Sequence, residues 1–476
     1  MNLFPSEGAG DAMRVPGRWG GAPVRLWLLA AVYVVVCVLA GAALVGAQRP
    51  ALAFAALAFL TVVLVALWHA YAVATGALVV CAFAPDYLRA RLPFTVLPLN
   101  GSLVLAGVLL VAGVVIVLRR PRPALGWWAI VPIAVALAWL LGPLAVARGG
   151  VELRIHYAFN LSVVEVCVLV GAVLISSTAP GRLSLLRGFS WAGALAGAAA
   201  MFETLAGKNV FLSVGMKLDP GLTSIWYVVP RRLGLWRASV AFGHPIELGV
   251  FLGLGVIATL ELARRRVIGQ RTAIALIVLM AGGMAVTISR GPVVALLVVV
   301  LCWALVARRM VWLRRATLAV VVLATAVFTL GTVATQTDVV GLFAPGPSEP
   351  GITSEHRYAL TSAFFAELQR APVFGYVDPD KTSVAQAFGT VDHEGLYILL
   401  GRGLFGLAVF SLLFAIPFVA ALLRRGRMES RLVSLAIPIY VVLCGMSVAF
   451  FGLLVPFVMV AAGLAWGCVK DIDADV

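Results

Sequence analysis

Long apolar segments separated by short arginine-rich connections constrain this chain more than any other feature of its sequence. Apolar residues make up 62% of its 476 residues, and only 12% are charged. Soluble domains do not reach this composition, whereas bundles of membrane helices do. A helix needs roughly 20 apolar residues to cross a bilayer. The sequence therefore predicts an all-α polytopic membrane protein with about 12–14 transmembrane helices.

The apolar segments recur through most of the chain. Candidate spans lie at residues 25–46, 51–67, 70–85, 99–118, 125–145, 159–178, 188–206, 245–262, 272–288, 292–307, 316–334, 395–422, 432–448 and 450–468. The second and third belong to one apolar run, divided only by the WHAY step at residues 68–71. The number of spans therefore depends on whether this step separates two helices.

Arginine clusters indicate which side of the membrane each connection occupies. If the spans alternate in direction, five basic connections lie on one side, which the positive-inside rule identifies as the cytoplasm. They contain Arg119, Arg120, Arg122, Arg182, Arg187, Arg264, Arg265, Arg266, Arg271, Arg308, Arg309, Arg314, Arg315, Arg424, Arg425, Arg427 and Arg431. Topology, rather than nucleic-acid binding, thus explains the net charge of +15. Arg14, Arg18 and Arg25 place the N-terminus on the same side, and residues 1–24 are predicted to be a disordered cytosolic tail.

The rest of the chain divides into four regions. We expect an N-terminal transmembrane bundle at residues 25–206, core helices with external arginine motifs at 207–334, a long external loop at 335–392, and C-terminal helices with a short cytosolic tail at 393–476. Within the loop, residues 354–370 have helical periodicity and predict a helix lying along the outer membrane surface. Long loops with structure of their own are usually functional.

One arginine stands where the positive-inside rule does not put it. Arg290 lies in TISRGP at residues 287–292, between two apolar segments at the predicted non-cytoplasmic boundary. A charge in or beside the bilayer costs about 2.5 kcal/mol or more unless it is paired or hydrated, which makes Arg290 a candidate functional residue. Arg237, Arg357 and His393 fall on the same predicted face.

Three arginines around a histidine suit a lipid diphosphate. Guanidinium groups bind phosphate oxygens bidentately and stay charged at any working pH. Arg237, Arg290 and Arg357 could therefore neutralise a diphosphate leaving group, a task that metals perform elsewhere. His393 could act as general base on an acceptor hydroxyl, because an unperturbed histidine titrates near neutrality. Structural roles stay open for each, as interfacial anchors or loop ion pairs, and His244 could simply cap the helix that follows it.

Acidic residues offer competing chemistry. Asp86 follows a span and could be a base. Asp378 and Asp380 have the D-x-D spacing of metal–nucleotide-sugar sites, but two aspartates around a proline are more typical of a turn. Glu165 and Glu203 stand in apolar segments and are expected to face the protein interior, although they could also mark an ion path. None of the six cysteines stands at metal-ligand spacing and no Walker A or HExxH motif occurs, so we expect no metal and no cofactor.

Short motifs follow one another in order through the second half of the chain. They are Arg237, FGHP at 242–245, SRG at 289–291, Arg357, PVFGY at 372–376, and HEGLY at 393–397 running into GRGLFGL at 401–407. In this order, and on one predicted face, they resemble the O-antigen ligase and O-antigen polymerase superfamily of bacterial envelope glycosyltransferases. The first half of the chain is similar only in hydropathy.

The resemblance implies inverting, metal-independent transfer of a glycan from an undecaprenyl-diphosphate carrier to a hydroxyl of a lipid, glycan or protein acceptor. The reaction would take place on the outer face of a bacterial cytoplasmic membrane, towards the periplasm or cell exterior. In that scheme Arg237 and Arg290 bind the diphosphate, Arg357 is a third candidate, and His393 is the base or positions the acceptor. The scheme involves the bilayer and no nucleic acid.

Two positions depart from the family pattern. Glu394 follows His393 where the family usually has asparagine, so Glu394 is itself a candidate catalytic residue. Arg402 stands in a stretch where the family commonly has an acidic residue, which could reflect a different acceptor or only a local ion pair. A transporter or flippase of lipid-linked sugars is the main alternative function, and a non-catalytic scaffold of an envelope-synthesis complex is the third.

Overall fold

The computed structural model describes residues 50–84, 100–119, 126–142, 162–209, 211–213, 231–232, 235–306, 363–376, 382–384, 394–423, 432–446, 450 and 452–474. The chain divides into two compact units, Met1–Val65 and Ala66–Val476. Only residues 50–65 of the first unit are described, and they are helical. The fold below is that of the second unit.

Helices dominate the described residues. In chain order they are α1 (Pro50–Cys81), α2 (Gly101–Leu118), α3 (Trp127–Leu141), α4 (Val164–Ser176), α5 (Ala179–Ala206), α6 (Pro245–Arg264), α7 (Gln270–Thr287), α8 (Arg290–Val306), α9 (Glu394–Leu423), α10 (Leu432–Gly445) and α11 (Leu454–Ala474). A two-residue antiparallel pairing joins β1 (Arg231–Arg232) to β2 (Leu235–Trp236). Five helices, α2, α5, α6, α7 and α9, are long and apolar enough to cross a membrane. These helices agree with the predicted α-helical polytopic class.

One predicted division agrees with the structure and one predicted boundary differs from it. His69 (φ −133°, ψ 47°) leaves the helical region inside α1 and separates two helical stretches, at the step that divides the spans expected at 51–67 and 70–85. Helix α5 begins at Ala179 rather than at residue 188, because the side chain of Thr178 accepts a hydrogen bond from the Gly181 amide and caps its first turn. The expected spans at 25–46 and 316–334, the 1–24 tail and most of the 335–392 loop lie outside the described residues.

The earlier start of α5 places Arg182 inside a helix rather than in a connection. Its side chain is buried, and one Nη donates to the carbonyl oxygens of Ser176 at 2.9 Å and Gly467 at 3.3 Å. Ser176 is the last residue of α4, where backbone carbonyls lack intrahelical partners and carry partial negative charge. The arginine therefore ties three helices together instead of marking a loop.

Helix α6 is the centre of the bundle. It packs against α5, α7, α8, α10 and α11, and 94% of its 18-residue apolar window is buried. A helix that is apolar on most of its faces lies either in lipid or inside a protein, and the burial of α6 shows that other helices enclose it. The segments immediately before and after α6 are therefore held by the bundle as well.

Glycines allow the central helices to approach closely. A Cβ atom at Gly197 of α5 would lie 2.4 Å from the Leu279 carbonyl oxygen of α7, and one at Gly193 would lie 2.8 Å from the sulfur of Met280. Membrane helices lack a hydrophobic driving force for association, so small residues that permit backbone contact take its place. The packing of α5 on α7 depends on these two positions.

Gly197→Ala should lower the thermal unfolding midpoint of the purified protein, because the new methyl group would overlap the Leu279 carbonyl. Overpacking of this kind costs about 1–3 kcal/mol. Gly76→Ala is the matched control, since a Cβ there has nothing within 4 Å. Thermal unfolding in detergent measures both, and equal midpoints for the two variants would contradict the close packing of α5 on α7.

Candidate functional site

Helices α6 and α8 begin, and α7 ends, at the same end of the bundle. The amide of Ala238, a few residues before α6, donates to the Val286 carbonyl near the end of α7 at 3.2 Å. A Cβ at Gly249, in the second turn of α6, would lie 3.2 Å from Pro292 and 3.6 Å from Ser289. We call this end, where α6 and α8 begin, the Arg237 end.

Helix α9 begins at the Arg237 end too. The Tyr440 hydroxyl of α10 donates to the Gly249 carbonyl at 3.3 Å, so α10 passes the start of α6 at that point. Beyond it, α10 ends at Gly445, where an added Cβ would lie 3.4 Å from the Cβ of Glu394. Glu394 is the first residue of α9.

Arg237 is the most firmly held of the predicted site residues. It is 4% exposed, its Nε donates to the Thr287 carbonyl at 2.9 Å, and one Nη donates to the Ser289 hydroxyl at 3.2 Å. Ser289 immediately precedes Arg290, which is partly buried and begins α8. The structure thus places the Arg237 guanidinium against Thr287 and Ser289, the latter being the residue before Arg290.

Two strained residues shape the backbone around Arg237. Ile288 has φ 50° and ψ 38° between α7 and α8, and Val240 has φ 53° between Arg237 and α6. Left-handed conformations cost β-branched residues about 1–2 kcal/mol. Such strain persists only where the surroundings enforce it, and it is concentrated at functional sites.

A buried carboxylate enforces the conformation at Val240. One oxygen of Glu203 accepts from the Ser239 amide at 3.2 Å, and the other accepts from the Val240 amide at 2.7 Å. Asn209 completes the contact by donating to the Ser239 hydroxyl at 3.0 Å and the Val240 carbonyl at 2.9 Å. Glu203 therefore fixes the segment that carries Arg237, which is a structural role that the sequence did not suggest.

Two residues at helix starts have partners in the backbone. His244 caps α6, since its Nδ1 accepts from the Ile246 amide at 3.2 Å, which is the structural role considered for it from the sequence. Glu394 is 8% exposed, and one of its oxygens accepts from the Phe450 amide at 2.5 Å. That contact fixes the start of α9 to the segment preceding α11.

Glu165 has a positively charged neighbour. Its carboxylate accepts from the Trp139 indole and lies 3.6 Å from an Nη of Arg402. The two residues belong to helices that are distant in the sequence, and the packing of the bundle brings them together. Arg357, His393 and the aspartates at 86, 378 and 380 lie outside the described residues, and their proposed roles stay predictions.

The Arg237 end combines three helix starts and two arginines with the buried carboxylates of Glu203, Glu247 and Glu394. Amino-terminal ends of helices carry partial positive charge and unpaired amide groups. Helices α6, α8 and α9 all begin there, and Arg237 and Arg290 add two full charges. Within the described residues, no group of three or more His, Cys, Asp or Glu side chains could hold a metal ion.

No protein-family model matches this sequence, and no curated protein matches it either.

Removing the carboxylate of Glu203 should loosen the segment that holds Arg237. Hydrogen bonds to a charged group contribute about 1.5–3 kcal/mol each, and Glu203→Ala removes two of them. Glu203→Gln keeps one acceptor oxygen and should show a smaller effect. Hydrogen exchange of the Ser239 and Val240 amides measures the change, and unchanged protection in Glu203→Ala would contradict the anchoring role.

Proposed function

We propose that this protein transfers a glycan from an undecaprenyl-diphosphate carrier to an acceptor hydroxyl at the Arg237 end of the bundle. The Arg237 end would then be the outer face of the cytoplasmic membrane. The observation that carries the proposal is the hydrogen bond from Arg237 to Ser289, the residue before Arg290, at the end of the bundle where α6 and α8 begin.

Charge and position support a diphosphate as the ligand. A diphosphate presents several anionic oxygens, and guanidinium groups bind such oxygens through paired hydrogen bonds. Helix starts add amide donors for the same oxygens. A lipid carrier keeps its diphosphate at the membrane boundary, which is where helices that span a bilayer begin and end.

The proposed reaction is a single displacement at the anomeric carbon of the first sugar. The acceptor oxygen forms the new bond to this carbon while the bond to the diphosphate oxygen breaks, and the configuration inverts. The acceptor proton passes to His393 or Glu394, and the leaving diphosphate keeps the electron pair. Arg237 and Arg290 would stabilise the charge that develops on the leaving group, so that no step needs a metal.

Arg290→Ala should abolish transfer while leaving the protein folded and inserted in the membrane. Arg290→Lys should also be badly impaired, because an ammonium group cannot replace a bidentate guanidinium. Transfer from an undecaprenyl-diphosphate-linked oligosaccharide in vitro measures both variants. Arg271→Ala is the matched control, since Arg271 is exposed in the first turn of α7, away from the Arg237 end. Near-normal activity of Arg290→Lys would contradict the diphosphate role of Arg290.

His393→Ala should lose turnover more than donor binding, because a general base contributes about 10²–10⁴-fold to rate without holding the donor. The same assay gives kcat and the donor KM. Turnover unchanged by the substitution would move the base role to Glu394 or to Asp86.

EDTA should leave transfer unaffected, because arginine side chains rather than a divalent cation would neutralise the leaving group. The assay above, run with and without the chelator, measures this directly. Strong inhibition by EDTA would favour a metal site at the aspartates of residues 378–380 instead.

A second candidate function is transport of lipid-linked sugars across the membrane. The observation that favours it is the break inside α9, where Gly403 has φ 63° and ψ −164°, next to the charged pair of Arg402 and Glu165. Discontinuous helices with nearby charges are common in transporters. Carrier translocation in proteoliposomes by a wild-type protein that transfers no glycan would support this alternative over transfer.

A further inference from the structure

Helix α9 is interrupted about a third of the way along its length. Gly403 leaves the helical region with φ 63° and ψ −164°, a conformation that is essentially restricted to glycine. The interruption separates residues 394–402, about 13 Å of helix that begins with Glu394, from the longer remainder. Backbone groups freed by such a break need partners inside the protein.

A segment of the long connection between α8 and α9, residues 371–376, supplies those partners. The Tyr376 amide donates to the Leu400 carbonyl at 2.7 Å. On the other side of the break, the amides of Leu404 and Phe405 donate to the carbonyls of Pro372 and Val373 at 2.8 and 3.0 Å. We call residues 371–376 the docked segment.

The fit of the docked segment leaves no room for side chains at two glycines. A Cβ at Gly403 would lie 2.3 Å from the Val373 carbonyl oxygen, and one at Gly375 would lie 2.5 Å from the Leu400 carbonyl oxygen. Gly375 has φ 68°, so both glycines are required by conformation as well as by space. The docked segment and the break are therefore shaped for each other.

Arg402, the residue before the break, fixes it to two neighbouring helices. One Nη donates to the Trp139 carbonyl at 2.8 Å, at the end of α3, and the other donates to the Ser162 hydroxyl at 3.0 Å, just before α4. The guanidinium also lies 3.7 Å from the centre of the Trp139 ring and 3.6 Å from the Glu165 carboxylate. A buried arginine with these partners has one favourable position, because any displacement leaves a charge unpaired.

The short helix of residues 394–402, which begins with Glu394, is thus held at both of its ends. The Glu394 carboxylate contacts the Phe450 amide at 2.5 Å, and Arg402 holds the other end of residues 394–402 against α3 and α4. From this geometry, and resting on the proposed function, we infer that Arg402 is a positioning residue for the acceptor side of the reaction. It holds residues 394–402 and the docked segment in place, so that Glu394 keeps its position on the acceptor side.

Loss of this positioning role should affect turnover and donor binding to different extents. Among the described contacts, the partners of the donor-side residue Arg237 are Thr287 and Ser289, whereas those of Arg402 are Trp139, Ser162 and Glu165. Displacing a reacting group by about 1 Å can lower a rate by about 10²-fold. Loss of Arg402 should therefore reduce kcat and leave the donor KM nearly unchanged.

The test compares wild type with Arg402→Gln and Gly403→Ala in the full chain. Gly403→Ala changes no charge but forces the docked segment out of the break. It therefore tests the contact between the docked segment and α9 even if Arg402→Gln does not fold. Arg264→Gln is the control, because Arg264 belongs to a comparable ion pair with Glu261 at the far end of α6. Hydrogen exchange of the Tyr376, Leu404 and Phe405 amides reports docking, and transfer assays give kcat and the donor KM.

We expect both variants to expose the three amides to faster exchange and to lower kcat about 10–100-fold, with the donor KM within about twofold of wild type. Arg264→Gln should change neither the exchange of the three amides nor the two kinetic constants. Unchanged exchange in both variants, or a rise in donor KM as large as the fall in kcat, would overturn the inference. A wild type that transfers glycan, with kcat unchanged in both variants, contradicts the positioning role alone. A wild type that transfers none contradicts the proposed function itself.

Discussion

Charged side chains enclosed by the helices determine how the elements of this bundle are held together. A charged group inside a helix bundle in a membrane is costly unless the chain supplies its partners. Three charged groups have such partners: Arg237 has a carbonyl and a hydroxyl, Glu203 has two backbone amides, and the partly buried Arg402 has Glu165 and Trp139. Because the partners come from different helices, these groups also fix the helices relative to one another.

The same contacts explain why the candidate site has a defined shape before any ligand arrives. Glu203 determines the backbone at Val240, and that backbone places Arg237 beside Ser289 and the start of α8. The buried centre of α6 holds the whole arrangement in place. Electrostatic stabilisation is most effective when its donors are fixed in advance, because they need not reorganise as charge develops.

Hydropathy and charge predicted the helical class and most helix positions. The expected span at 245–262 corresponds to Pro245–Arg264, and that at 272–288 corresponds to Gln270–Thr287. The predicted start of α5 was wrong, because a hydropathy pattern assigns a charged residue such as Arg182 to a connection. The carbonyl oxygen of Ser176 at the end of α4 accepts a hydrogen bond from Arg182, so the arginine can be buried inside a helix. The interruption of α1 at His69 falls in the WHAY step, where hydropathy divides the two expected spans.

The candidate site could be predicted only in part, for a related reason. Arg237 and Arg290 stood out because charges are rare in apolar surroundings, and the structure places the Arg237 guanidinium against the residue before Arg290. The contact of Glu203 with the segment that carries Arg237 could not be predicted, because its partners are backbone amides and no residue type in the sequence indicates them. The contact of Arg402 with Ser162 joins residues 240 positions apart, and only tertiary packing determines it.

The central claim is that the Arg237 end binds a lipid diphosphate without metal. The most direct measurement is the affinity of undecaprenyl diphosphate for the purified protein in EDTA, comparing wild type with Arg237→Gln, Arg290→Gln and Arg271→Gln. We expect binding without metal, and Arg237→Gln and Arg290→Gln should each weaken it by at least about tenfold, as expected for a lost charge-assisted hydrogen bond. Arg271→Gln should have no effect on the affinity. Equal affinity in all four proteins, or binding only when a divalent cation is present, would contradict the central claim.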